Sequence, residues 1–298
     1  MPILFFGRPC FFATVFLMAT ASAALAQWPS YPTPGTPRTP DGKVNLGAPT
    51  PKTRDGHPDF SGMWENARAL GRTPPAAAKN PKAPAANDDF FAGLKTNDDF
   101  LAVAKRSPFW NIGSSFKDGL PFQPWAAELH RARIADNDKD NPDAHCLPMG
   151  IMQFHYHGQP RKMIQTPQVI VILYEANAGI RQIFTDGRPL PGKDADPWWY
   201  GYSTGHWEGD TLVVQSAGYR DLGWLDVEGS PLTDQAHITE RYRRPDFGHL
   251  EIEVTIDDPK AYTKPWTVMV HQTLMPDTEL IEFVCQENEV DAPHLTTK

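Results

Sequence analysis

The segment around residue 240 places one acidic side chain among apolar ones. Ile238, Glu240 and Tyr242 alternate with other residues, and the period of two that is typical of a β-strand points all three to the same face. A carboxylate on a buried face must be paired with a cation or have its pKa raised. The sequence leaves two interpretations of Glu240 open: a structural ion pair, with Arg181 or Arg188 as the partner, and acid–base chemistry.

Two histidines, His155 and His157, flank Tyr156 in a segment predicted to be extended. Both rings would then project to one face, with His145 upstream as a third group. This spacing suits a metal site or an acid–base pair. A cupin-type metal site would need a glutamate shortly afterwards, and residues 158–162 contain none. We therefore expect no metal, and acid–base work, ligand hydrogen bonding and ordinary surface histidines stay open.

A G-x-S-x-G pattern occurs at Gly201–Gly205. In serine hydrolases this serine sits on a sharp turn between an apolar strand and a helix. Here Trp198, Trp199 and Tyr200 precede the pattern and a predicted strand follows it, so a glycine-rich turn is the better interpretation. No G-x-G-x-x-G or P-loop pattern is present, and we expect no nucleotide or other cofactor.

Aromatic residues gather at the connections between predicted strands, often beside Pro, Gly or Asp. Most should pack between elements, and the others would line a cavity mouth and stack on a flat ligand. The residues expected to contact a ligand are Arg181, Arg188, Trp199, Tyr202, Tyr242 and Trp266. The residues expected to transfer protons are His155, His157, Tyr174, His206 and Glu240.

The elements that must position these residues are predicted to be β-strands. Alternating, β-branched and aromatic runs separated by Gly, Pro and Asp predict seven strands, at Val169–Glu175, Ile180–Thr185, Thr211–Ser216, Ala236–Arg243, Leu250–Asp257, Thr267–Leu274 and Glu279–Cys285. The Ala176–Gly179 connection is a hairpin signal. Strands at this spacing without intervening helices predict an antiparallel meander, and closing it as a barrel would remove the exposed edges.

An earlier strand and a long excursion complete the predicted domain, residues 55–298. Residues 60–64 contain the Gly-x-Trp found at the start of lipocalin first strands. Residues 66–143 would then be an irregular and helical excursion, with short helical patterns in 88–105 and a helix at Trp125–Asn137 that begins after Pro124. The fold class expected is therefore mainly β, a lipocalin-like (calycin-type) barrel with this N-terminal excursion.

The N-terminal region is expected to be processed and loosely structured. Residues 1–26 have the layout of a secretory signal peptide, with Arg8 before a short apolar run and small residues before Gln27. Residues 27–54 are rich in Pro, Thr and Gly and predict an extended tether. Residues 38–47 and 54–62 resemble each other, as if one segment had been duplicated. We expect a periplasmic or secreted protein with no membrane span.

The net charge limits the classes of macromolecule that the protein can bind. The formal net charge is −8, so nucleic acid is a poor partner.

Removal of the signal peptide leaves two cysteines, Cys146 and Cys285, and an oxidising compartment favours a disulfide between them. Two buried thiols are the alternative. Neither cysteine belongs to a C-x-x-C pair, which argues against zinc.

Several motifs together resemble a large, poorly characterised group of secreted bacterial proteins. They are DGHPDFSGMW (55–64), IFTDGRPL (183–190), GHWEGDTLVV (205–214), TER (239–241), DDPKAYTKPW (257–266) and EFVCQEN (282–288). The resemblance covers residues 55–298 and implies a lipocalin-like barrel, but it carries no activity. His206 and Gln215–Ser216 depart from the group's pattern.

Taken together, these patterns predict a barrel that acts on an apolar or aromatic small molecule by acid–base chemistry, as a lyase or an isomerase does. Such a reaction needs only positioned proton donors and acceptors. A non-catalytic carrier of the same kind of ligand is one alternative. A structural or envelope-interaction protein, in which the aromatic residues all belong to the core, is another.

Overall fold

The computed structural model describes residues 32–67, 107–192 and 194–285. All of them belong to one compact unit, Pro32–Lys298. The predicted signal peptide and the helical patterns in 88–105 lie outside the described residues. Within the described ranges, no helix has the length and apolar character needed to cross a bilayer.

Eleven strands occur in the described part of the chain. They are β1 (Gly62–Asn66), β2 (Arg161–Gln165), β3 (Val169–Tyr174), β4 (Ile180–Phe184), β5 (Tyr202–Glu208), β6 (Thr211–Ala217), β7 (Gly223–Trp224), β8 (Pro231–Leu232), β9 (His237–Arg243), β10 (His249–Asp257) and β11 (Trp266–Leu274). Nine of these described strands form a closed barrel in the order β1-β11-β10-β9-β6-β5-β4-β3-β2, and β7 pairs with β8 separately.

The mainly β, closed-barrel prediction is confirmed, and the architecture is consistent with a lipocalin-like barrel. Two details of the predicted meander are wrong. The segment 279–285 is not a strand, because β1 pairs with both β2 and β11 and leaves no barrel edge for it. In addition, β4 pairs with β5 in parallel, because the chain between them crosses to the opposite end of the barrel before β5 begins. Strands β2 and β5 were not predicted.

The barrel interior is built from alternate residues of each strand. On β10, Leu250, Ile252, Val254 and Ile256 are buried, as the alternation predicts, while Glu251 and Glu253 lie on the outer face. Each fully buried aliphatic side chain of this kind contributes about 1.5–3 kcal/mol to folding. The same alternation on β9 places Ile238, Glu240 and Tyr242 inside. The predicted inward orientation of Glu240 is therefore confirmed.

Two α-helices lie in the described residues, α1 (Pro124–Ala135) and α2 (Ile151–Tyr156). The predicted helix after Pro124 is confirmed. The extended segment predicted around His155 is wrong, because residues 151–156 form a helix whose six side chains are all buried. The helix begins directly after Gly150, where an added Cβ would lie 1.6 Å from the carbonyl oxygen of Trp224. Only glycine permits this close approach.

Residues 32–59, part of which we predicted to be an extended tether, form two similar turns against the barrel. In the first turn the Thr39 amide donates to the Lys43 carbonyl at 2.8 Å, and in the second the Thr53 amide donates to the His57 carbonyl at 2.8 Å. Each turn contains a glycine with positive φ, Gly42 at 83° and Gly56 at 86°. The resemblance between the two segments thus extends to their backbone hydrogen bonds.

Both turns are attached to the barrel domain by side chains. In the first turn, Arg38 forms an ion pair with Asp277 at 2.7 Å. After the second turn, the His57 ring stacks on Trp207 of β5 with 4.3 Å between ring centroids. These contacts account for order in a segment whose composition alone favours an open chain.

The predicted disulfide between Cys146 and Cys285 is confirmed, with Cα atoms 5.6 Å apart. Cys146 follows a short 3₁₀ turn that ends at His145, and Cys285 lies in the irregular segment after β11. The bond therefore connects the segment before α2 to the segment that comes after the last described strand.

Candidate functional site

Glu240 lies in the centre of a buried polar cluster inside the barrel. Its side chain is 0 % exposed. The Arg181 guanidinium donates to both carboxylate oxygens, through Nη1 to Oε1 at 3.0 Å and through Nη2 to Oε2. The Tyr242 hydroxyl donates to Oε1 at 2.9 Å, and Nε2 of His155 lies 2.8 Å from the same oxygen. We call Glu240, Arg181, His155, Tyr242 and Arg161 the interior cluster.

Arg181 is held in place by two serines as well as by Glu240. Its Nε donates to Ser203 Oγ at 3.2 Å, and its Nη2 donates to Ser216 Oγ at 3.0 Å. The two hydroxyls lie 2.8 Å apart. Ser203 is the serine of the G-x-S-x-G pattern, and it sits within strand β5 rather than on a turn. It therefore positions an arginine and lacks the geometry of a hydrolase nucleophile.

The electrostatics of the cluster favour an ionised Glu240. Burial opposes ionisation, but the Arg181 charge and the hydrogen bonds from His155 and Arg181 outweigh it and hold the pKa of Glu240 well below its usual range. The same carboxylate holds the pKa of Arg181 well above its ordinary value, against the effect of burial. Of the two interpretations left open by the sequence, the structure contains the ion pair, and the partner is Arg181.

His155 is fixed on α2 between Glu240 and Arg161. Because Nε2 faces a carboxylate, we assign the ring proton to Nε2, which leaves the lone pair on Nδ1. Nδ1 lies 3.4 Å from Arg161 Nη1, a long contact for a hydrogen bond. Burial lowers the pKa of His155 despite the opposing effect of Glu240, so the imidazole is neutral at neutral pH.

Arg161 is the second buried guanidinium of the interior cluster, and the sequence patterns did not identify it. It lies on β2, directly opposite Tyr174 of β3. Its Nη2 donates to the backbone carbonyls of Phe154 and His155, and its guanidinium carbon lies 5.5 Å from the centre of the Tyr174 ring. Burial raises the pKa of Tyr174, whose hydroxyl therefore stays protonated.

Comparisons with known proteins do not assign the chain to a family. No family model, curated protein or solved structure matches the chain. The relationship to secreted bacterial proteins with the GHWEGDTLVV motif stays a prediction. The chemistry assigned to the interior cluster therefore rests on its own residues.

The structure brings only some of the predicted site residues together. The barrel interior brings together five of them: His155, Tyr174, Arg181, Glu240 and Tyr242. Trp266 is also buried, but it packs against Phe116 and Tyr262.

Four other predicted residues lie outside the barrel interior. The His206 ring is on the outer surface, 3.4 Å from Glu208. Arg188 is exposed and donates to Asp186 and to the Tyr202 hydroxyl. Trp199 is half-buried beneath Arg220, whose guanidinium carbon lies 5.0 Å from the ring centre. None of these four contacts the interior cluster in the described structure.

His157 does not share a face with His155, in contrast to the prediction. On a helix, residues two positions apart point to nearly opposite sides. His157 directly follows α2, its Nδ1 accepts from the Gln159 amide at 3.0 Å, and its ring meets Phe109 edge-on. Burial lowers its pKa to about 4.

A groove of about 380 Å³ lies at the barrel end where β2 turns into β3. It is lined by residues of the second N-terminal turn, of the β2–β3 connection and of β5, including Arg54, Thr166, Ile170 and Trp207. Its volume falls in the range of small-molecule sites, and Trp207 offers an aromatic lining residue.

Acidification from about pH 7 to about pH 5.5 is expected to destabilise the protein. Burial lowers the pKa of His155 and lowers that of His157 to about 4, from an ordinary value near 6.5. Below about pH 6.5 the unfolded chain binds protons at these positions that the folded chain does not. The stabilising contribution of the two neutral histidines is therefore complete above that pH and decreases as the pH falls. For His157 the loss at pH 5.5 is on the order of 1 kcal/mol, and His155 adds a loss in the same direction.

Urea unfolding followed by tryptophan fluorescence at the two pH values measures this effect. The charged groups that face His155 are Glu240, Arg161 and Arg181, and Glu240 has its pKa lowered, so it adds a loss only at more acidic pH. The variant His157→Gln should reduce the pH dependence, whereas the exposed-site control His206→Gln should not. Equal stability of the native protein at both pH values would contradict the assignment of neutral buried histidines.

Proposed function

We propose that this protein is an exported, cofactor-independent acid–base enzyme, of the lyase or isomerase type, that acts on an apolar or aromatic small molecule. The observation that carries the proposal is the buried pair of His155 and Glu240, with Nε2 of the histidine 2.8 Å from the carboxylate. The disulfide supports a periplasmic or secreted location, since such bonds persist in oxidising compartments.

His155 is the general base in this proposal. Glu240 fixes the ring orientation and its tautomer, so Nδ1 keeps the lone pair that accepts a proton from the substrate. Once Nδ1 is protonated, the nearby carboxylate stabilises the imidazolium, as the acidic residue does in catalytic triads. Glu240 is thus a positioning residue, kept ionised by Arg181. A low histidine pKa favours the unprotonated, active form at neutral pH.

Tyr174 is the general acid in the same proposal. Its hydroxyl stays protonated because burial raises its pKa, and it lies opposite Arg161, which contacts the His155 ring. A base and a proton donor on either side of a substrate are what a proton-transfer reaction such as elimination or isomerisation needs. Predicted proton-transfer residues outside the barrel interior, such as His206, take no part.

The 380 Å³ groove favours a second candidate function, a non-catalytic carrier. In a carrier, Trp207 and the neighbouring apolar side chains would hold the ligand at the barrel end. The interior cluster would then serve only to maintain the fold. The two functions differ in one measurable respect, because a carrier binds its ligand without breaking a C–H bond.

Deuterium exchange separates the two functions. The protein is incubated in D₂O with acetophenone, phenylpyruvate or mandelate, and loss of the C–H signal next to the carbonyl or carboxylate group is followed by proton NMR. We expect exchange to be at least hundredfold slower with His155→Gln, given the usual 10²–10⁴-fold contribution of a positioned base. Far-ultraviolet circular dichroism checks that the variant is folded.

The exposed variant His206→Gln is the matched control and should exchange at the native rate. Exchange that proceeds equally with His155→Gln would exclude His155 as the base. Binding of a probe without exchange would favour the carrier, and absence of both binding and exchange would contradict the proposed substrate class.

A further inference from the structure

Arg161 is a buried cation without a carboxylate partner in the described structure. Its residue is 1 % exposed. Among the described residues no acidic side chain lies within 4 Å of its guanidinium, whereas Arg181 has Glu240. The interior cluster thus holds two guanidinium groups and one carboxylate. Burying a charge without a counter-charge is costly, and proteins retain such groups mainly where something else pairs with them.

The present partners of Arg161 are all neutral. Its Nη2 donates to the carbonyls of Phe154 and His155, and its Nη1 faces Nδ1 of His155 at 3.4 Å. The Nε atom is buried and makes no hydrogen bond within the described residues. An arginine binds a carboxylate best through two parallel N–H groups, and Nε with one Nη provides such a pair.

A second buried polar side chain without a hydrogen bond in the described structure lies on β11, which pairs with β1 on the side opposite to β2. Gln272 of β11 is buried, and neither its Oε1 nor its Nε2 makes a hydrogen bond in the described part of the chain. Gln272 is paired across the sheet with Asn66, and the Asn66 amide donates at 3.0 Å to the His155 carbonyl. Arg161 contacts that same carbonyl. Arg161 and Gln272 are thus both buried on the two strands that flank β1, and the Asn66 amide of β1 shares the His155 carbonyl with Arg161.

We infer that Arg161 and Gln272 form an anion site that binds the carboxylate of an apolar or aromatic carboxylic acid. The guanidinium supplies the counter-charge and a pair of donors, and the Gln272 amide supplies a further donor. Arg161 adjoins Nδ1 of His155, so a carboxylate bound there places the neighbouring carbon of the ligand near the base. The inference names the substrate class of the proposed function, and it rests on that function only for the proton transfer after binding.

Ligand binding by the full chain tests the anion site. Phenylacetate and octanoate are compared with their uncharged amides, phenylacetamide and octanamide, by thermal shift and isothermal titration calorimetry at constant ionic strength. Samples are first incubated to equilibrium, because the site is enclosed. We expect at least one acid to bind at least tenfold more tightly than its amide. If no acid binds, or if acid and amide bind equally, the inference is wrong.

Two variants locate the site. Arg161→Gln should weaken binding of the acid at least tenfold and leave the melting temperature within a few degrees of the native value, because it removes an unpaired buried charge. Arg188→Gln, at an exposed arginine, is the control and should bind normally. If Arg161→Gln binds the acid normally, the carboxylate lies elsewhere. If it melts as early as Arg181→Gln, whose loss leaves Glu240 unpaired, Arg161 is structural and the inference fails.

The outcome for the anion site is independent of the outcome for catalysis. Preferential binding of acids without deuterium exchange would retain the site and reject the enzyme. Exchange of acetophenone by the native protein, together with equal binding of acids and their amides, would retain the enzyme and reject the site.

Discussion

Replacement of Glu240 by glutamine is expected to lower the free energy of unfolding by about 3–5 kcal/mol, the usual cost of breaking a buried ion pair. The substitution is nearly isosteric, so the loss comes from charge: Arg181 stays buried while its counter-charge is removed. Equilibrium unfolding in urea, followed by tryptophan fluorescence, measures the difference between the native protein and Glu240→Gln.

The protein provides a matched control on its outer surface. Glu208 also contacts one arginine and one histidine, with Arg241 at 2.7 Å and His206 at 3.4 Å, but its side chain is about half exposed. Solvent screens such pairs, and exposed ion pairs contribute about 0–1 kcal/mol. Glu208→Gln should therefore change stability little. Similar losses of stability from both variants would show that burial does not determine how much Glu240 contributes to the free energy of unfolding.

A double variant distinguishes the cost of an unpaired charge from the value of the ion pair itself. Arg181→Met combined with Glu240→Gln removes both charges, and buried pairs replaced by uncharged residues often lose little stability. We expect the double variant to recover part of the loss seen with Glu240→Gln alone. A double variant that is less stable than the single one would indicate that the pair is net stabilising.

Removal of the disulfide is expected to lower the free energy of unfolding by about 2–5 kcal/mol. The bond closes a loop with a sequence separation of 139 residues, and a loop of this length restricts the unfolded chain strongly. The variant Cys146→Ala/Cys285→Ala should therefore melt at a lower temperature than the native protein. Differential scanning calorimetry of both proteins, each with and without reductant, measures the effect.

Reductant provides the internal control for this prediction. It should lower the melting temperature of the native protein toward that of the double alanine variant and leave the variant itself unchanged. Two thiols that react with a label in the native protein without reductant would contradict the bond. Equal melting temperatures would mean that the unfolded chain is not restricted by it.

The sequence predicted well those features that depend on local alternation. Leu250, Ile252, Val254 and Ile256 face inward as their spacing indicates, and so does Glu240. The cysteine pair is predicted from the two cysteines that remain outside the predicted signal peptide, and this prediction needs no geometry. The first inference depends on the spacing of neighbouring residues and the second on the composition, and a single sequence contains both kinds of information.

The rest of the site depends on contacts that are distant in sequence. Arg181 on β4 and Glu240 on β9 are separated by β5 and β6 in the sheet and meet through the barrel interior, and neither segment alone predicts the strand order that allows this contact. The burial of Arg161 could not be predicted, because residues 161–165 carry both polar and apolar side chains on each face of the strand.

The helix that carries His155 illustrates a different limit. Residues 151–156 are buried on all sides, so they show neither the period of a surface helix nor that of a half-buried strand. For such short apolar runs, periodicity cannot distinguish a helix from a strand. A strand at this position predicts His155 and His157 on one face, whereas the observed helix separates them.

Closure of the barrel by β1 has a consequence for the order in which the strands can assemble. Trp64 of β1 pairs with Leu274 of β11 on one side and with Arg161 of β2 on the other. Until β11 is available, β1 can pair only with β2, and the incomplete sheet keeps free edges that can pair with other chains. The ring can form only after β11 emerges, so a late, long-range step should limit the folding rate, as expected for topologies rich in non-local pairing.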